Sequence, residues 1–311
     1  MKKNVSGMEF LKKYGILLVL VAMWVILLIV SPTFRTVDNA INILRQVAVN
    51  GILAIGMTFV IMTGGIDLTV GSLVAVAGVV CGSIIVANPS MWAVGIIAAL
   101  AACAIFGAIN GFFVAYMGVP AFVATLAGMT IARGFAYVYS DGKPYTMASK
   151  TFSSIGKGMV PIVIFLVIFA VCHILLSRTK FGRYIYATGG NIRAAEASGV
   201  RVKRILMKVY IMAGVLSGIA GVVLAARTNS GQPAVGTGFE TDAIAAAVIG
   251  GTSMTGGIGT IPGTLIGILI IGTLNNGLNL LNVSSYYQQI VKGIIILGAV
   301  CFDISSKKLS K

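Results

Sequence analysis

The sequence predicts an all-α membrane protein with about ten transmembrane helices. Of its 311 residues, 58% are hydrophobic and only 10% are charged, and the mean hydropathy is +0.99. A soluble fold of this size exposes far more polar surface. Apolar runs near the roughly 20 residues that cross a bilayer recur along the whole chain. We therefore expect membrane lipid to surround this chain.

Each predicted span is one of these apolar runs. The first follows four lysines, and we expect it to be retained because no signal-peptide cleavage site follows it. The second and third flank the stretch MTGGIDLTVGSL, and the sixth and seventh flank the longest inner loop. The eighth is short and rich in glycine. The ten spans are 14–30, 46–63, 68–87, 91–117, 120–139, 159–176, 207–226, 242–254, 259–281 and 286–302.

The positions of lysine and arginine orient the chain, because cationic loops stay on the cytoplasmic side. With the N-terminus inside, 15 of the 23 basic residues are cytoplasmic. We expect cytoplasmic tails at 1–13 and 304–311 around a transmembrane domain at 14–303, which includes a cytoplasmic loop at 177–206. The net charge of +15 then requires no nucleic-acid partner. No segment outside the membrane is long enough for an independent domain, which starts at roughly 50 residues.

The pentapeptide MTGGI occurs at 62–66 and again at 254–258, and the tripeptides at 71–73 and 263–265 echo each other at the same offset. This pattern predicts an internal repeat. Adjacent glycines end a helix, and inside a membrane such a break is tolerated only where it faces protein or water. Transporters use paired broken segments to build substrate passages. The two breaks are therefore the first indication of transport.

Asp67 follows the first break, and three roles are open for it. As an N-cap of the third span it would satisfy free amides and the positive helix end, which is the role we favour. It could instead contact a substrate hydroxyl or a gate, or pair with Arg133 or Lys292. The second break has Gly259 at the matching position, so the break itself does not require a carboxylate.

Uncharged polar side chains also lie inside the spans. They suit either hydrogen bonds between helices or a neutral polar passage. Glycines spaced four apart at 107 and 111, 214 and 218, and 263 and 267 predict close helix packing. The candidate passage residues are Gly64, Gly65, Asp67, Asn110, Asn275, Asn276 and Asn279.

The inner loop contains the pattern of a short capped helix. Asn191 is a good N-cap, residues 192–198 are mostly helix formers, and Gly199 is a good residue just after the helix. A helix this short is marginal alone in water. It therefore belongs either to an ordinary positive loop or to a docking segment for a cytoplasmic partner, and the caps favour docking.

The chain contains no phosphate-binding motif of the form GxxxxGK[ST], so ATP hydrolysis would belong to another chain. Coupling to protons would need buried carboxylates, and of the eight acids only Asp67 lies in mid-span. The four cysteines and the single histidine show no ligand or catalytic spacing. We expect no metal, no cofactor and no enzymatic activity in this chain.

Five stretches of the sequence resemble the membrane permeases of bacterial ABC importers for monosaccharides. The resemblance runs from about Ser31 to Val300. GGIDLTVGS alone indicates only the wider sugar and nucleoside permease group, whereas the five stretches together are specific. The N-terminal MKKNVSGMEFLKKYG has no recognisable family pattern. The five stretches are SPTFRTVDNAINIL, GMTFVIMTGGIDLTVGSL, FGRYIYATGGNIRAAEASGV, ETDAIAAAVIGGTSMTGG and LNNGLNLLNVSSYYQQIVKG.

The resemblance implies a homodimer of ten-span subunits in the cytoplasmic membrane, with a passage at or near the subunit interface. It also implies two copies of a cytoplasmic ATPase and an extracytoplasmic sugar-binding protein. Lys143, Lys150 and Glu240 are weaker candidates for the face that meets the binding protein. The residues expected to contact the ATPase are Gly190, Asn191, Ala195, Glu196 and Gly199.

Two hypotheses for transport remain at this point. In the first, ATPases drive an alternately exposed passage of low affinity, and the resemblance favours ribose as the sugar over xylose, arabinose or galactose. In the second, the chain is a secondary carrier coupled to protons or sodium through Asp67.

Overall fold

The structure, a computed structural model, describes residues 7–308, with side chains for residues 15–298, 300 and 301. Parts of the two predicted tails, residues 1–6 and 309–311, lie outside the described residues. The described chain is mainly helical, with short 3-10 helices at Thr33–Arg35 and Pro89–Met91. Strands β1 (Tyr145–Thr146) and β2 (Ser230–Gly231) pair antiparallel. The α-helices are α1 (Gly7–Val30), α2 (Val37–Met62), α3 (Val70–Ala87), α4 (Trp92–Ala115), α5 (Ala121–Tyr139), α6 (Lys150–Ile155), α7 (Val160–Arg178), α8 (Lys180–Gly190), α9 (Ile192–Ala197), α10 (Val202–Thr228), α11 (Phe239–Ile249), α12 (Ile261–Leu280) and α13 (Ser285–Lys308).

Seven helical segments of the described chain are long and apolar enough to cross a membrane: α2, α3, α4 with its preceding turn, α5, α7, α10 and α12. They coincide with seven predicted spans. Helix α2 begins nine residues before the predicted 46, because Thr36 caps it by accepting the Asn39 amide and Asp38 lies in its first turn. Helices α1 and α13 match the predicted first and last spans in position, and their crossing stays a prediction.

The predicted eighth span, 242–254, is wrong as a continuous helix. Helix α11 has 11 residues, about 16 Å at the usual rise, so it covers about half of a bilayer core of roughly 30 Å. It ends at Ile249, and Gly251 adopts a φ of 89° that a helix cannot contain. The non-helical stretch before α11 lies along α3, with Gly231 against Gly78 and Gly236 against Gly71.

Helix α10 lies at the centre of the bundle and packs against α2, α3 and α4. Helices α2, α3 and α10 are largely buried, whereas α4, α5 and α7 expose most of their apolar residues on an outward face. The apolar residues at the perimeter are therefore available to lipid, whereas those at the centre are buried within the protein.

The most extensive helix–helix contact is between α4 and α10, and it includes glycines that the spacing predicts. A methyl group added at Gly107 would collide with the Tyr210 carbonyl oxygen, and one at Gly214 with the Cys103 carbonyl oxygen. Gly263 and Gly267 likewise contact the backbone of α11 and its end, at Gly250 and Ala246. The prediction of close packing at these small residues is confirmed.

We expect Gly214→Ala to destabilise the folded protein by about 1–3 kcal/mol, because its methyl group forces α4 and α10 apart. Gly134→Ala is the matched control: it also replaces a helical glycine, but its added carbon meets nothing within 4 Å. Thermal unfolding in detergent measures the difference. Equal unfolding temperatures for the two variants would contradict the packing described here.

Candidate functional site

The two MTGGI breaks meet in space. The Gly257 amide in the second break donates to the carbonyl of Met62 in the first, at 2.9 Å. One turn before Met62, the hydroxyl of Thr58 lies 2.7 Å from that of Thr264 on α12. Gly256 and Gly257 both have positive φ, at 84° and 74°, which other residues adopt only at a cost. The breaks therefore bind the end of α2 to the start of α12.

The inner loop enters the same contact through the end of α8. A side chain at Gly189 would collide with the Met62 carbonyl and the Gly257 amide, so these three backbones touch. Tyr186, one turn earlier on α8, donates its hydroxyl to the Gly259 carbonyl at 2.7 Å. We call Met62, Gly64, Gly189, Gly256 and Gly257 the glycine junction.

The sequence analysis assigned the two breaks to a substrate passage and the loop to docking of a cytoplasmic partner. It did not predict that the breaks and the loop touch. The available signal was a further pair of adjacent glycines, Gly189 and Gly190, which end a helix as the glycines of the two breaks do. Gly190 is exposed, and a side chain there would meet nothing within 4 Å, although its backbone touches Gly257.

The short helix predicted in the inner loop is present as α9. Asn191 caps it by accepting the Ala194 amide at 3.0 Å, and Gly199 follows it with a φ of 82°. Asn191, Glu196 and Gly199 are exposed and available to a partner. Ala195 is buried against the chain's own core, so it anchors α9 and offers no surface to a partner.

Asp67 is fully buried and organises the turn ahead of α3. Its Oδ1 accepts hydrogen bonds from the Thr69 amide, at 2.9 Å, and from the Thr69 hydroxyl. Asn110 donates its amide to the same hydroxyl at 3.2 Å. Helix α3 begins at Val70 with Thr69 in the N-cap position, so Asp67 is not the N-cap itself and acts two residues earlier.

The structure does not pair Asp67 with either predicted cation. Lys292 forms an ion pair with Asp242, at 2.9 Å from Nζ to Oδ1. Arg133 donates to the Pro233 and Val235 carbonyls at 2.6 and 2.7 Å, and so holds the non-helical stretch before α11 against α5.

The predicted passage asparagines do not share one wall. Asn276 exchanges two hydrogen bonds with Asn39 on α2, at 3.1 and 2.9 Å. This is a hydrogen-bonded contact between helices, one of the two roles considered for these polar residues. Asn279 accepts from Gln288 at 2.8 Å. Asn275 donates to Asp242 at 3.4 Å. Gly64 and Gly65 lie at the first break, and Gly65 lies against the Tyr210 hydroxyl.

Asp67, predicted as the one acid in mid-span, is not the only buried carboxylate in the described chain. The Asp242 side chain is only 5% exposed and that of Lys292 21%, and both lie within the bundle. The signal for this pair was Lys292 itself, because a cation in an apolar run needs a counter-ion.

The three residues predicted for the face that meets the binding protein lie in different settings. Lys143 is exposed and paired with Asp141, and Lys150 is exposed at the start of α6. Glu240 is not on an outer loop: it lies at the start of α11, half-buried, with its carboxylate against Gly71 of α3. The expectation for Glu240 was therefore wrong.

Comparison with known proteins finds one family over most of the chain. The family described as "Branched-chain amino acid transport system / permease component" matches residues 39–300. The ribose import permease protein of Haemophilus influenzae is 45% identical, over 99% of this chain and 100% of the relative. That of Bacillus subtilis is 47% identical, over 97% and 96%. The L-arabinose transport system permease protein of Escherichia coli is 38% identical, over 100% and 96%. No solved structure matches significantly.

Proposed function

Because this chain belongs to the branched-chain amino acid transport system permease family, we propose that it is the membrane-spanning subunit of an ATP-driven importer that carries ribose into the cytoplasm. The observation that supports this most is the near-full-length identity of 45–47% with ribose import permeases of several bacteria. The chain is a multi-pass protein of the bacterial cytoplasmic membrane, consistent with its seven apolar helices of spanning length.

We propose a topology of ten crossings with both termini in the cytoplasm. Its basis is the inner loop from α8 to the start of α10, which carries much of the positive charge. Helix α10 has 27 residues, about 40 Å, enough to carry the chain from this loop to the opposite face. The non-helical stretch and α11 together return it to the glycine junction, which supports counting them as one broken crossing.

In this topology each soluble partner meets one face of the membrane. A cytoplasmic ATPase would dock on α9, where Asn191 and Glu196 are exposed. A sugar-binding protein would meet the opposite face near the β1–β2 sheet, beside Lys143 and Lys150. A second copy of this chain completes the transporter, and ATP hydrolysis belongs to the ATPase chain.

The glycine junction suggests how docking at α9 reaches the passage. Helix α8 leads into α9 and touches both breaks through Gly189. When the ATPases close and move α9, the ends of α2 and α11 and the start of α12 would move with it. This is rigid-body motion around broken segments of the kind transporters use to alternate access.

The carrier hypothesis has little support from the contacts of Asp67, whose hydrogen bonds go to its own turn.

We expect vesicles containing this chain, the ATPase and the binding protein to accumulate radiolabelled ribose only with ATP. Omission of either partner should abolish accumulation, because the chain itself has no energy source. The control is the same vesicles with a non-hydrolysable ATP analogue. Concentration of ribose against its gradient by this chain alone would contradict the proposal.

We expect Asp67→Asn to keep ribose uptake within about threefold of the wild type, because an amide oxygen accepts the same two hydrogen bonds. Asp67→Ala removes the acceptor from a buried hydroxyl and amide, and we expect uptake to fall at least about tenfold. A carrier coupled through this carboxylate predicts that both variants are inactive. Uptake with and without an uncoupler, at constant ATP, distinguishes the two outcomes.

We expect Gly189→Ala to lower ribose uptake at least about tenfold, because its methyl group would displace the Met62 carbonyl. Gly190→Ala is the matched control, since its side chain enters open space. Co-purification of the ATPase checks that docking survives in both variants. If the two variants transport equally, the junction does not couple docking to transport.

A further inference from the structure

A cavity of about 470 Å³ lies between the first turn of α11 and helix α13. Small-molecule sites in proteins occupy roughly 300–1,000 Å³. The cavity combines charged, amide and hydroxyl groups with the apolar side chains Phe239 and Ile296. Its polar lining includes Glu240, Thr241, Asp242, Gln288, Gln289 and Lys292.

The polar groups of this cavity have hydrogen-bonding capacity left over. The Lys292 ammonium has three N–H donors, and among the described residues its partner is the single carboxylate of Asp242. The side-chain amide of Gln289, which also lines the cavity, makes no hydrogen bond within the described chain, and an amide both donates and accepts. This cluster therefore has both a donor and an acceptor to offer.

The cavity lies part-way across the membrane and away from the glycine junction. Asn275 is about 21 Å along α12 from Ile261, which starts beside the junction. Lys292 is about 10 Å along α13 from Ser285, near the other end of α12. Helix α11 begins at the cavity, with Asp242 in its first turn, and runs to the junction.

We propose that this cavity binds the transported sugar, as a neutral polyhydroxylated ligand; the inference rests on the proposed function. Sugar hydroxyls both donate and accept, which matches the mixed set of carboxylate, ammonium and amides. The lining carries two carboxylates against one ammonium, so an anionic cargo such as a sugar phosphate is disfavoured. A charged site inside a membrane is costly and marks a transport path more often than a structural one.

A size series at Gly293 tests the proposal, since this glycine lines the cavity and a side chain there meets nothing within 4 Å. In the complete transporter, Gly293→Ala, Gly293→Val and Gly293→Phe should lower ribose uptake progressively, with Phe costing at least about tenfold, or about 1.4 kcal/mol. Gly298→Phe is the matched control: the same helix, the same added side chain and equally open space, but outside the cavity lining.

Two further readouts make the outcome decisive. Gln289→Leu removes a lining amide that makes no hydrogen bond within the described chain, so it should raise the KM for ribose without lowering ATPase co-purification. If the wild-type transporter accumulates ribose and Gly293→Phe matches Gly298→Phe, the cavity is not the sugar site, although the proposed function stands. If the wild type itself fails to accumulate ribose, the proposed function falls, and the cargo assigned to this cavity falls with it.

Discussion

One backbone contact joins the two breaks and the end of α8: the Met62 carbonyl accepts the Gly257 amide at 2.9 Å, and Gly189 packs against both. The contact requires glycine because a side chain at Gly189 would occupy the position of the carbonyl oxygen. It also requires positive φ at Gly256 and Gly257, which glycine alone adopts freely. Three segments that are far apart in sequence thus end at the same place.

The glycine junction and the cavity are joined by two helices. Helix α11 runs from Asp242 at the cavity to the second break, and α12 runs from that break back to Asn275 beside Asp242. A displacement at the junction that reached the far end of α11 would move Asp242 relative to Lys292 on α13. An ion pair in a low-dielectric setting is sensitive to such movement, because breaking it leaves an uncompensated charge. Through this ion pair, a movement of the glycine junction would alter the binding of the sugar in the cavity.

Local features of this fold were predictable from the sequence, and long-range pairings were not. Seven spans followed from hydropathy, and α9 followed from Asn191 and Gly199, because helix length and capping depend on neighbouring residues. The stretch before α11 was missed as part of this segment, since residues 232–238 form no apolar run and only their contacts with α3 show where they lie. For the same reason, the side-chain pairs of the candidate site were not predicted from the sequence. Asn276 pairs with Asn39, and Lys292 with Asp242, across separations that no local pattern encodes.

The central claim, that α9 and the second break move as one body, is tested most directly by distances between spin labels in the assembled transporter. With the native cysteines replaced, one label is placed at Glu196 on α9 and the second at Ile258 in the break, both of which are exposed. The account predicts that this distance stays constant when ATP is added, while the distance from Glu196 to Lys143 on the opposite face changes. A change of several ångströms between Glu196 and Ile258 would contradict it.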